Sequence, residues 1–155
     1  MALDASEREM PELAVHAAQR LAQLDGDQAQ VRHWLLPVWE LMVDPQSSLS
    51  DHQALKLIRV LESNLGGIDA NWLARIESAH QANPRDARLQ YLSAVACLHR
   101  ELWGKAQQLF TEAAPKLADK VLRASAWRYL AELAEHRNDE QAAADAWKQA
   151  AIAAL

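Results

Sequence analysis

Residues 124–150, ASAWRYLAELAEHRNDEQAAADAWKQA, carry the pattern of a helix pair. Two helical segments, Asp119 to His136 and Glu140 to Ala154, meet at a polar break, Asn138-Asp139. Laid over the stretch that begins at Ala87, the sequence repeats itself at an offset of 37 residues. Ala87 then falls on Ala124, Ala94 on Ala131, Ala106 on Ala143, Phe110 on Trp147 and Ala113 on Ala150. Small residues recur where helices touch, and large aromatics recur where a gap has to be filled. Glu101 and Asn138 share the turn position between the two helices of a pair; Asn tolerates the left-handed backbone that such turns use.

The same 3.6-residue periodicity continues toward the N-terminus, with no run of strict apolar and polar alternation. Eight helical segments are expected. They run from about Ser6 to Leu24, Gln28 to Val43, Ser50 to Leu65, Asp69 to Ala82, Asp86 to Arg100, Leu102 to Lys116, Asp119 to His136 and Glu140 to Ala154. Ser50, Asp69 and Asp86 are of the type that accepts from the free amides of a first turn. Gly26, Gly66-Gly67 and Asn83-Pro84 are breaks, and Asp44-Pro45-Gln46-Ser47-Ser48 is the most polar of them. Such short connections make each helix antiparallel to the one before.

One helix pair cannot cover both of its apolar faces, whereas a stack of pairs buries a continuous core. The expected fold is therefore all-α: a tetratricopeptide-like right-handed superhelical stack of about four antiparallel helix pairs, forming one domain over residues 1–155. The repeats are 12–45, 50–84, 87–118 and 119–155. The copy from Ala124 matches the tetratricopeptide signature best, through Trp127, Leu130, Ala131, Asn138, Ala143, Trp147 and Ala150. In the copy from Ala87, Gln90 stands at the first aromatic position. The copy from Gln53 keeps Gly67, Ala79 and Pro84 but places Trp72 at a small-residue position, and the copy near Glu12 has Val31 and Val38 where alanines belong.

Composition narrows the function. A net charge of -5 argues against a phosphate-binding surface, so nucleic acid is excluded as a partner. One cysteine, Cys97, rules out an internal disulfide framework. No apolar run approaches the roughly 20 residues that a membrane-spanning helix needs. Asp4, Glu7 and Glu9 do not fit a signal peptide, so the chain is either cytosolic or targeted by a segment outside this sequence.

The string Leu102-Trp103-Gly104-Lys105-Ala106, followed by Ala113-Ala114 and the Trp127 and Trp147 repeat, resembles the C-terminal tetratricopeptide region of the HemY family. These are bacterial inner-membrane proteins linked to protoheme biosynthesis. The resemblance covers mainly Asn83 to Ala150. It implies a scaffold for late heme-pathway (porphyrin) enzymes, with this domain soluble on the cytoplasmic side and held at the inner membrane only through a segment absent here. It transfers no catalytic residue. A flavin-dependent oxidase sharing the name would need a glycine-rich dinucleotide loop, and this chain has four glycines and no such loop.

In stacked repeats of that kind the first helix of each pair lines a concave surface. The resemblance therefore implies a partner-binding face made by Arg88, Tyr91, Val95, Leu98 and His99 in one copy, and by Ser125, Arg128, Glu132, Glu135 and His136 in the next. Leu57, Leu61, Asn64 and Leu65 are the preceding set. Such a groove suits an amphipathic helix or an extended peptide. Six histidines raise metal or heme ligation, but none lies three or four residues from another, and no Cys-x-x-Cys-His site occurs. No cofactor, metal site or catalytic apparatus is expected; direct heme or porphyrin binding is the alternative function. Cys97, Trp103, Trp127 and Trp147 read as core, and Trp34 and Trp39 as residues on different faces of one helix.

Overall fold

The computed structural model describes residues 15–20, 27–44 and 49–155. Every regular element among them is helical. Residues 15–20 belong to α1; α2 is Gln28–Val43, α3 Asp51–Ser63, α4 Ala70–Ala82, α5 Ala87–His99, α6 Trp103–Ala113, α7 Lys120–His136 and α8 Glu140–Ala154. A 3-10 turn, Ala114–Lys116, follows α6. The rest of the expected first helix, its break at Gly26 and the Pro45 break lie outside the described residues.

Local chemistry sets most of these boundaries. Asp27, Asp69, Asp86, Asp119 and Asp139 each accept a hydrogen bond from an amide in the first turn of the helix they precede. Each also places a negative charge at the positive end of a helix dipole. Ser50 and Gln53 form a reciprocal capping box at the start of α3. The α6 segment was expected to reach Lys116 as α-helix; Pro115, which has no N–H to donate, stands inside the last turn, and the chain tightens to 3-10 there.

The chain divides into two compact units, Met1–Ile68 and Asp69–Leu155. In the first, α2 packs on α3. Buried Arg32 reaches from α2 to donate through Nη1 to the carbonyls of Asn64 (2.7 Å) and Gly66 (3.0 Å). A guanidinium thus satisfies carbonyls at the C-terminal end of α3, where the helix dipole favours a cation. Gly67 supplies the positive φ of 68° that turns the chain beyond them.

In the second unit each helix packs on its neighbour in sequence, and α5 also touches α7. Connections 100–102 and 137–139 are copies of one another. The amides of Glu101 and Leu102 donate to the carbonyls of Leu98 and Cys97; 37 residues on, those of Asn138 and Asp139 donate to Glu135 and Ala134. Glu101 and Asn138 hold φ of 60° and 61°. This is the Schellman closure of a helix end, made twice at equal spacing.

Helix α5 is the centre of this unit. Residues 89–97 are buried without interruption, a pattern that a helix shows only when it is covered all round. Tyr91 packs edge-on against Phe110 (5.8 Å between ring centroids), and Phe110 stacks on Tyr129 at 4.9 Å and 16°. These aromatic contacts tie α5, α6 and α7 together.

Candidate functional site

The duplicated turn sets the register of α5 against α7, so residues 37 apart occupy matching positions at the C-terminal ends of the two helices. His99 matches His136, and Val95 matches Glu132. These four side chains line one open cavity of about 410 Å³ together with Leu98, Trp103, Tyr129 and Leu133. That size lies within the range of small-molecule and side-chain pockets. Val95, Leu98 and Leu133 form its apolar wall, while Trp103, the first residue of α6, stands at 5.9 Å from the His136 ring.

The other residues assigned to the concave face do not join this cavity. Tyr91 is fully buried against Phe110 and Tyr129, because α5 is enclosed on every side at that level; it belongs to the core and not to a partner surface. Leu61 and Asn64 are also buried, in the first unit, where Asn64 Nδ2 donates to the Val60 carbonyl (2.8 Å). Arg88 is half-exposed and pairs with its own cap, Asp86, at 3.5 Å. Arg128 is exposed, but its Nη2 donates to Ser125 Oγ at 2.7 Å, along α7. Glu135 turns toward α8 and accepts from the Trp147 indole at 2.7 Å.

Trp103, Tyr129 and Leu133 line the cavity but were not among the expected site residues. Trp103 was read as core, yet it is 45 % exposed. A signal existed: Trp103 opens α6 immediately after the Glu101 turn, and such a turn brings the start of the second helix back beside the end of the first. His99 and His136 were expected on the partner-binding face, and only their use as metal or heme ligands was set aside, because neither has a histidine three or four residues away. Their 37-residue spacing, equal to the repeat, is what places them in one cavity.

Among the described residues no three His, Cys, Asp or Glu side chains converge where a metal could sit. Cys97 is buried, and desolvation pushes its thiol above the ordinary value, with Lys105 opposing and Glu77 adding to the rise. A thiol kept protonated behaves as a small hydrophobe and not as a nucleophile. Lys105 Nζ is hydrogen-bonded to Glu77 Oε1 at 2.6 Å, and that bond holds its ammonium above the usual lysine value. The pair links α6 to α4 across exposed surface, where ion pairs contribute little.

Among the described residues the protein is all-helical, with one turn geometry made twice 37 residues apart and a pocket lined from α5, α6 and α7. No protein-family model matches the chain, and no curated protein or solved structure matches it either. No helix among the described residues is long and apolar enough to cross a membrane.

Proposed function

We propose that this chain is a noncatalytic interaction scaffold, a tetratricopeptide-like right-handed stack whose α5–α7 groove holds a helix or extended segment of a partner protein. One observation carries the reading. Val95, His99, Glu132 and His136, drawn from two repeat-equivalent positions, meet in one open cavity with apolar walls and an exposed tryptophan. An apolar pocket with a few polar groups at its rim is what an anchoring side chain of a partner requires. The duplicated turn, with equal φ at Glu101 and Asn138, supports the repeat architecture.

The resemblance of residues Asn83 to Ala150 to the HemY family extends the proposal. The partners would be late heme-pathway enzymes at the bacterial inner membrane, with this domain on the cytoplasmic side and the membrane held through a segment outside this sequence. The test is co-purification of a panel of those enzymes with the chain and with its Arg128→Ala and His136→Ala variants. At least one enzyme should be retained by the wild-type chain and lost from His136→Ala while helicity stays unchanged. Retention of none removes the heme-pathway assignment; retention by His136→Ala equal to that by the wild-type chain removes the groove, and Arg128→Ala, outside the cavity, serves as the comparison.

A second reading rests on its own observation: two imidazoles, His99 and His136, share a cavity whose remaining walls are largely apolar and aromatic. That combination suits direct heme or porphyrin binding, with a histidine as axial ligand. Titration with hemin should shift the Soret band in the wild-type chain and not in His99→Ala or His136→Ala. A spectrum that is the same in all three proteins rejects this reading.

A further inference from the structure

We propose that the α5–α7 cavity is selective for a cation: it receives the arginine or lysine head group of a partner polypeptide. The inference rests on the docking reading of the same groove and names the chemistry of the anchor. Three features support it.

The first is charge. Glu132 is the one fixed charge among the lining residues, and among the described residues it makes no ion pair or hydrogen bond. The second is where the nearby cations are directed. Arg128, one turn before Glu132, donates to Ser125 Oγ; Lys105 is held by Glu77; Arg137 lies 3.6 Å from Asp139. These three cations are thus engaged elsewhere; Arg100, which follows His99, is exposed, and no ion pair joins it to Glu132 on a chain of net charge -5. The third is the wall. Trp103, which is exposed, brings an aromatic ring to the wall, and the face of such a ring attracts a guanidinium or ammonium. Val95, Leu98 and Leu133 offer apolar surface to the methylene stem of such a side chain, which buries its stem while its head seeks charge. An acidic anchor would meet Glu132 and be repelled; a purely aliphatic one would leave the Glu132 carboxylate without a partner.

The test uses the full chain and two small probes that differ only in charge: N-acetyl-arginine-N-methylamide and its citrulline counterpart, a neutral isostere. Amide and indole NMR signals are followed on titration. The arginine probe should shift the Trp103 indole N–H and the Glu132 and His136 amides saturably. The citrulline probe should bind roughly fivefold to tenfold more weakly, the size expected of one exposed cation–π contact and one exposed ion pair. Glu132→Gln, an exposed substitution, should narrow the difference between the probes to about twofold to fivefold, since only the cation–π contribution then separates them. Equal shifts by both probes at the cavity overturn cation selectivity and leave the docking reading standing. No localised shift with the arginine probe overturns the proposal, and the docking reading is then decided by co-purification alone.

Discussion

The two helix pairs of the second unit, α5–α6 and α7–α8, share a sequence pattern, a repeat length and a turn, yet their second helices meet different surroundings. Phe110 in α6 is completely buried, whereas its counterpart Trp147 in α8 is 39 % exposed. Ala114 and Leu117 are buried, while Ala151 and Ala154 are exposed. The reason is the neighbour: α7 lies against α6 and brings Tyr129 over Phe110, and no element among the described residues covers the corresponding face of α8. A repeat position therefore specifies which way a side chain points, and the next element decides whether it is buried.

The comparison breaks most readily at the aromatic pair. Phe110→Ala should destabilise the protein by about 3–5 kcal/mol, the range for emptying a buried aromatic site. Trp147→Ala removes a larger side chain but should cost less, about 1–2 kcal/mol, because part of its surface is already in water and its indole bond to Glu135 is exposed. Urea unfolding of both variants decides the matter. Equal losses would mean that the α8 face is covered as the α6 face is.

Alanines sharpen it further. Ala143 is buried where α8 packs on α7, and Ala144, one residue on, is exposed. Ala143→Leu forces an isobutyl group between close helices and should cost about 1–3 kcal/mol. Ala144→Leu should stay within about 0.5 kcal/mol of wild type, as surface changes do. A melting temperature unchanged by Ala143→Leu would remove that residue from the interface.

Much of this fold was legible because helix ends are local. Asp27, Asp69, Asp86, Asp119 and Asp139 announce the starts, and α2 and α8 have the ends read from the sequence, Gln28 to Val43 and Glu140 to Ala154. Five of the eight lining residues were legible, four of them for a related reason: two turns of one geometry put residues 37 apart in register, so Val95 could be matched to Glu132 and His99 to His136. Tyr91 could not be placed by register alone. Its burial depends on α4, α6 and α7 enclosing α5, a tertiary fact. The uncharged run from Leu89 to Cys97 was a sign of that enclosure. Trp103 misled in the opposite sense, since its size suggested core while its place after the turn sets it on the rim of a pocket.

The smallest expected effect tests the feature that the two pairs share most closely. Glu101 and Asn138 have the same left-handed backbone, so any difference between them comes from the side chain. The left-handed region costs a residue with a β-carbon about 1–2 kcal/mol, and less for Asn, whose short polar side chain bonds locally. Glycine removes that cost but adds freedom to the unfolded chain, which takes back about 0.5–1 kcal/mol. Glu101→Gly should therefore stabilise the protein by up to about 1 kcal/mol, while Asn138→Gly should change it by a few tenths at most. Both residues are exposed, so neither loses packing. Thermal unfolding of the two variants, side by side, measures the difference. A gain at Asn138 equal to that at Glu101 would show that Asn relieves none of the left-handed strain, and that the later turn is the better formed for reasons outside its own backbone.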